Sequence, residues 1–186
     1  MKNYEPRHIV LAIAISLFVL SPIVLLVLPT AVIGVLYHSP SQLVLYATSG
    51  SYLVYGAGLL FFCLSVLIIF LLWGRKLVMI VSLICLVLSG SSFYIAAQHY
   101  IAMGTDGLAY QLLFSSEEHI YRWDEIETAV YYQDESEQIA STYAFTFHDG
   151  ESIDLPENAH LAEYKFFINN FLEEAGIELE ERFYED

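Results

Sequence analysis

"LVYGAGLLFFCLSVLIIFLLWGRKLVMIVSLICLVLSGSSFYIAAQHYIAM", residues 53–103, contains two long uncharged runs separated only by a Gly-Arg-Lys link. A helix needs about 20 apolar residues to cross a bilayer core that is about 30 Å thick. Both runs, 53–73 and 77–103, meet this requirement, and the short basic link between them is typical of a tight hairpin at a membrane surface. The stretch therefore predicts two consecutive membrane-spanning helices.

A third apolar run precedes them at residues 9–37. The apolar part of a signal peptide is about 7–15 residues long, so we interpret this longer run as a retained span. Pro22 and Pro29 within the run each remove a backbone donor and are expected to bend the helix. The sequence thus predicts a transmembrane domain of three helices over residues 1–103.

Charge divides the chain at about residue 104. The whole chain has a formal net charge of -15, yet residues 1–103 carry four basic side chains and a single acidic one. Residues 104–186 carry 21 acidic side chains and three basic ones, which predicts a separate acidic domain. An acidic surface repels phosphate backbones, so no nucleic-acid partner is expected.

The basic residues of the first domain predict how it lies in the membrane. Lys2, Arg7, Arg75 and Lys76 all fall on one side of a three-span arrangement. The positive-inside rule places that side in the cytoplasm, so the predicted location is the cell membrane with the acidic domain outward.

The third span carries small or polar residues at helical spacing along one face. In lipid, helix association depends on close packing by such residues. They form a candidate seam against the other two spans, against another membrane protein or a second copy, or along a polar conduction path. The seam residues are Ser82, Cys85, Ser89, Ser92, Ala96 and His99.

The acidic domain alternates between apolar and polar residues over much of its length, a pattern that predicts strands. Asp149-Gly150 is a two-residue hairpin signal because glycine tolerates a positive φ. The predicted strands are 107–114, 118–123, 126–133, 142–148 and 151–156.

An amphipathic helix is predicted after these strands, with Asn158 as its N-cap and Gly176 as its C-terminal stop. One face of that helix is apolar and would cover the sheet. The fold class is therefore membrane α-helical plus an α+β domain of antiparallel strands closed by one helix, with a loose acidic tail. The apolar stripe consists of Leu161, Tyr164, Ile168, Phe171 and Ala175.

The stretches "TDGLAYQLLFSSEEHIYRWDEIETAVYY" (105–132) and "FTFHDGESIDLP" (145–156), followed by the terminal helix, resemble bacterial pleckstrin-homology-like domains of the YcxB-like type. Tyr121, Trp123 and Ile126 carry the aromatic and W-x-x-I step of that pattern. The resemblance implies a PH-like module that accompanies membrane helices, in a family whose domain is commonly cytoplasmic. Trp123 and Ile126 are expected in its core, and Tyr121 and Tyr131 in the core or on an exposed contact face.

The charged residues do not indicate a catalytic or metal site. Phosphoinositide binding needs clustered lysine and arginine, and the domain has three well-separated basic residues. His119, His148 and His160 lack the paired spacing of metal ligands, and residues 134–138 lack the glycine and closing glutamate of a calcium loop. We therefore expect no enzyme activity, no metal and no cofactor.

These observations favour a non-catalytic membrane protein that presents an interaction module. It would be an accessory, regulatory or immunity-type subunit of a membrane or envelope component. Its partners would be the lipid bilayer and either another membrane protein or a second copy of the chain. The alternative is a small subunit of a transporter or channel that uses the polar seam of the third span.

Overall fold

The computed structural model describes residues 6–71, 76–133 and 140–184. Arg75 in the predicted hairpin link and the segment 134–138 lie outside these residues.

The chain forms two compact units, and each is assembled from separate segments of sequence. The helical unit comprises Met1–His38, Ala47–Tyr100 and Gln111–Ser116. The acidic unit comprises Ser39–Tyr46, Ile101–Tyr110 and Glu117–Asp186. The predicted boundary between residues 103 and 104 differs from this division, because the acidic unit also includes residues 39–46 and 101–103.

The helical unit contains α1 (Pro6–Leu36), α2 (Ser49–Leu71) and α3 (Lys76–Gln98). All three are long and apolar enough to span a membrane, as the sequence predicted. α1 continues as one helix through both prolines. α3 ends at Gln98 rather than at Met103, because Tyr100–Gly104 form a strand.

Small residues bring α2 and α3 together. The Oγ atoms of Ser65 and Ser82 lie 2.7 Å apart, and Ser65 Oγ also donates to the Ser82 carbonyl at 3.1 Å. A Cβ atom on Gly58 would lie 3.1 Å from the ring of Phe93, so the missing side chain lets that ring approach α2. Such contacts hold helices together in lipid, where burial of apolar surface contributes little.

Two four-stranded sheets make up most of the acidic unit. The first has the order β1-β2-β3-β4, with β1 and β2 antiparallel. A Cβ atom on Gly104 would lie 2.2 Å from the Ser41 carbonyl oxygen, so only glycine fits where the end of β2 approaches β1. The strands are β1 (Gln42–Tyr46), β2 (Tyr100–Gly104), β3 (Gly107–Gln111) and β4 (Glu118–Arg122).

The second sheet has the order β7-β6-β5-β8, and α4 (Ala159–Glu174) connects β7 to β8. β6 pairs antiparallel with β5 and with β7, whereas β8 pairs parallel with β5. The prediction of purely antiparallel strands and a loose tail was wrong, because residues 179–183 complete the backbone hydrogen bonding along β5. The strands are β5 (Ile126–Gln133), β6 (Thr142–Phe147), β7 (Ser152–Pro156) and β8 (Leu179–Phe183).

α4 begins and ends as the sequence predicted. The Asn158 side chain accepts a hydrogen bond from the Leu161 amide at 2.9 Å and so caps the first turn. Gly176 has φ +79, and the Ile177 amide donates to the Leu172 carbonyl, which closes the last turn in a Schellman motif.

The core of the acidic unit lies between the sheets and α4, and its largest side chains are aromatic. Tyr143, Phe145 and Phe147 alternate along β6 and are fully buried, so they form the inward face of this strand. Leu161 and Ile168 of the α4 stripe are buried against the same cluster.

Candidate interaction site

Trp123 and Ile126 lie in the core of the acidic unit, at the corner between β4 and β5. The short 3-10 turn Trp123–Glu125 joins these strands, and the Arg122 amide donates to the Glu125 carboxylate at 2.7 Å. Trp123 is 7 % exposed, and its Nε1–H donates to the Gly104 carbonyl at 3.0 Å. The hydrogen bond fixes the plane of the indole ring and leaves one edge at the surface.

Tyr131 is also buried, at 4 % exposure, so it is not part of an exposed face. Its hydroxyl donates to Glu157 Oε2 at 2.6 Å, and Lys165 Nζ lies 3.9 Å from the centre of its ring. Burial and the bond to Glu157 raise the pKa of Tyr131. This tyrosine therefore connects β5 to the start of α4 from the inside.

Tyr121 is half-buried and nearer to the surface. Its ring stacks on Phe147 with 3.6 Å between the ring centres, and its hydroxyl donates to Asp149 Oδ2 at 2.7 Å. Burial and this hydrogen bond raise the pKa of Tyr121, and the same bond lowers the pKa of Asp149. Tyr121 thus holds the Asp149-Gly150 turn against β4.

An open groove of about 500 Å³ lies beside Trp123, at the C-terminal end of α4. We call it the acidic groove. Trp123 and Phe171 stack within it, with 5.4 Å between their ring centres. Its charged lining residues are Asp106, Arg122, Asp124 and Glu174.

The acidic groove has more negative than positive groups in its lining, three carboxylates and one guanidinium. Arg122 Nε lies 3.2 Å from Asp124 Oδ1, but both side chains are largely exposed, so this ion pair is weak. In the described part of the chain, no lysine or arginine pairs with Asp106 or Glu174. The C-terminal end of α4 carries the negative end of the helix dipole, and no basic residue in its last turn offsets that charge.

The chemistry of the acidic groove suits an organic cation. Stacked aromatic rings attract a cation over their faces, and carboxylates accept its hydrogen bonds. Among the described residues, no three histidine, cysteine or acidic side chains lie close enough together to hold a metal ion. A guanidinium or ammonium group matches this combination of rings and dispersed carboxylates.

The seam residues of α3 are unevenly buried. Ser82, Ser89 and Ala96 are at most 4 % exposed, whereas Cys85 and Ser92 are half-buried. Ser92 Oγ donates within its own helix, to the Leu88 carbonyl at 2.9 Å. Of these five, Ser82 has a hydrogen-bond partner on another helix in the described structure.

His99, the last seam residue, is 8 % exposed just beyond the end of α3. Its Nδ1 donates to the Gln111 carbonyl at 2.7 Å, and its Nε2 is hydrogen-bonded to the hydroxyl of Thr48. The Ser51 hydroxyl donates to the His99 carbonyl at 3.0 Å. The histidine therefore joins the end of α3 to the start of α2 and to the segment after β3.

No protein-family model matches this chain, and no curated protein matches it.

The acidic groove could not be predicted from the sequence, because Asp106, Trp123 and Glu174 come from three separate segments. Phe171 was found, but as a member of the helix stripe. The clearest signal in the sequence was the pair Glu173-Glu174 in the last turn of the predicted helix, since acidic residues are unfavourable at a helix C-terminus.

Proposed function

We propose that the protein is a non-catalytic, multi-pass membrane protein that binds a basic segment of a partner protein through its acidic unit. It would be an accessory, regulatory or immunity-type subunit of a membrane or envelope component. The observation that supports this function is the acidic groove, in which two stacked aromatic rings and three carboxylates surround an open volume.

An arginine or lysine side chain is the group that this groove fits best. Arginine stacks on aromatic rings and forms paired hydrogen bonds with carboxylates, and tryptophan and arginine are enriched at binding hot spots. The acidic unit of a second copy is a poor source of such a group, because residues 104–186 carry 21 acidic side chains and three basic ones and would be repelled by the carboxylates of the groove. Its three basic side chains, Arg122, Lys165 and Arg182, each have a contact within their own chain. A different protein is the better partner.

The PH-like character of the acidic unit is part of the proposal. Seven strands precede α4 in the described chain, which equals the number in a full pleckstrin-homology barrel. β8 is an addition to that pattern, and β1 and β2 lie outside the residues that carry the resemblance. Phosphoinositide recognition needs a cluster of lysine and arginine, and the domain has three basic side chains that are well separated in the sequence. The module would therefore bind protein rather than lipid headgroups.

The proposed orientation has the N-terminus in the cytoplasm and the acidic unit outside. The Arg7 guanidinium lies 4.9 Å from the ring centre of Phe70, which brings the start of α1 beside the end of α2. This contact supports an orientation in which the start of α1 and the end of α2 both face the cytoplasm, as the positive-inside rule expects. Cysteines introduced near the C-terminus should react with an impermeant reagent in intact cells. Labelling only after lysis would place the acidic unit in the cytoplasm.

Photocrosslinking from the acidic groove tests the proposed function. A benzoylphenylalanine at Glu174 should form an adduct with a partner protein in membranes. The same probe at Glu163, an exposed acid on the same helix, should form much less. Equal adducts from both positions, or none from either, would contradict the proposal.

The variant Glu174→Gln separates binding from folding. Removal of a negative charge from the C-terminal end of α4 should stabilise that helix by about 0.3–1 kcal/mol. The same change should weaken partner capture in pull-downs from membranes, because it removes one carboxylate from the acidic groove. A loss of binding with unchanged or higher stability cannot be attributed to misfolding.

A further inference from the structure

The turn between β3 and β4 exposes two apolar side chains. Leu112 is 49 % exposed and Phe114 is 75 % exposed, and residues 111–116 carry no charge. The Ser115 amide donates to the Leu112 carbonyl at 3.0 Å, so residues 112–115 form a closed turn. We call this segment the apolar turn.

The apolar turn belongs to the helical unit. His99, just after α3, donates from Nδ1 to the carbonyl of Gln111. Leu113, between the two exposed residues, lies 3.6 Å from the position that a Cβ atom on Gly50 would occupy, in the first turn of α2. These two contacts place the apolar turn beside the ends of two apolar helices.

Those helix ends coincide with the expected edge of the hydrocarbon core. α2 and α3 have 23 residues each. Such helices are about 34 Å long, close to the hydrocarbon thickness of about 30 Å. Tyr94, 66 % exposed, lies one turn before the end of α3, and Tyr37 stacks on Tyr100 with 3.9 Å between ring centres. Tyrosines at this level are typical of the aromatic belt of a membrane protein.

The backbone at Phe114 is unusual for its residue type. Phe114 has φ +66, and it is the third residue of the closed turn, a position where positive φ favours glycine or asparagine. A bulky side chain rarely adopts this left-handed conformation. The ring is exposed and has no polar atom, so contacts within the unit do not explain why a phenylalanine occupies this position.

We propose that the apolar turn inserts Leu112 and Phe114 into the boundary between lipid headgroups and acyl chains. The two side chains would then be covered by lipid instead of water, which favours the folded turn despite its backbone conformation. Leu113, between them, contacts the first turn of α2. The apolar turn is thus a second membrane contact, separate from the three spans and independent of the acidic groove.

Depth-dependent fluorescence quenching tests this inference. The full-length variant Phe114→Trp, in a Trp73→Phe background, is reconstituted into phosphatidylcholine vesicles that carry bromine atoms either near the headgroups or near the chain ends. The remaining native tryptophan, Trp123, is buried and gives a constant background. Emission from residue 114 should fall more with the shallow bromines than with the deep ones.

Val87→Trp, in the middle of α3 and 61 % exposed, is the matched control and should show the reverse order. If the emission from residue 114 is unaffected by either lipid while that from residue 87 is quenched, the apolar turn lies in water or against protein, and the inference is wrong. Stronger quenching of residue 114 by the deep bromines would also exclude an interfacial position.

Discussion

The helical unit and the acidic unit distribute their apolar side chains in opposite ways. In α1, Phe18 is 72 % exposed and Leu26 is 71 % exposed, whereas Phe145 and Phe147 of the acidic unit are fully buried. Lipid does not penalise exposed hydrocarbon, so the helical unit depends on close helix contacts and a few hydrogen bonds. Exposure of hydrocarbon to water is unfavourable, so the acidic unit depends on a well-packed core. One chain therefore contains two units that are stabilised by different forces.

The largest effect that this comparison predicts is the loss of a core ring from the acidic unit. Phe145→Ala should cost about 3–5 kcal/mol, because it removes buried surface and leaves a cavity. Urea unfolding of the purified protein, followed through Trp123 emission, measures this change. Phe166→Ala removes the same ring from a position that is 69 % exposed and should cost less than about 0.5 kcal/mol. Similar losses for both variants would mean that burial does not stabilise this unit.

A smaller effect is expected in the helical unit. Ser82→Ala should cost about 0.6 kcal/mol, a typical value for a hydrogen bond between membrane helices. The cost is modest because Ser65 Oγ can still donate to the carbonyl of residue 82. Reversible unfolding in mixed detergent micelles measures it, with Ser21→Ala as the control, since that hydroxyl bonds only within α1. A loss of several kcal/mol would show that the seam does more than join α2 to α3.

The smallest effect at neutral pH concerns Tyr143. Its hydroxyl is buried and, in the described structure, has no hydrogen-bond partner, so Tyr143→Phe removes no hydrogen bond and should change stability by less than about 0.5 kcal/mol. Burial, with the nearby Glu157 carboxylate, raises the pKa of Tyr143. The folded state therefore favours the protonated phenol, and stability is lost as the pH rises above the unfolded value of about 10.

The alkaline range is where Tyr143→Phe should differ most from the parent. Free energies of unfolding measured between neutral pH and a pH of about 11 should fall less steeply for the variant. Burial also raises the pKa of Tyr46, so Tyr46→Phe should behave in the same way. An unchanged alkaline slope in both variants would show that these phenols do not control it.

Local patterns in the sequence were sufficient to predict most strands of the acidic unit and both ends of α4. The five strands from residue 107 to residue 156 alternate in polarity, and Asn158 and Gly176 mark the ends of α4 through their own backbone contacts. These features depend on neighbours within a few residues. They could be predicted because no distant segment decides them.

Three strands were not predicted, each for a different reason. β2 is buried along its whole length, so its apolar sequence continues that of α3 without a break. In the sequence, β1 falls between the spans α1 and α2, and it pairs with residues more than 50 positions further along the chain. β8 is mostly exposed and has no apolar face, so only its backbone pairing with β5 defines it.

In the candidate sites, too, the features that depend on distant segments were not predicted. Trp123 and Ile126 were predicted as core residues from a local motif, and both are buried. The acidic groove depends on three segments, 105–106, 122–124 and 171–175, that meet only in the folded chain. Likewise, the α3 seam was visible from its spacing, but Ser65, the α2 partner of Ser82, was not.

The position of β1 has a consequence for the biosynthesis of this protein. β1 leaves the ribosome before α2 and α3, whereas its partner β2 follows them. Residues 42–46 therefore cannot pair with β2 until α2 and α3 have been synthesised and translation has passed residue 104. A truncated gene that starts at residue 104 would encode a protein without Val44, Tyr46 and Ile101, which belong to the core. The acidic unit can thus be completed only after both helices of the pair have been made.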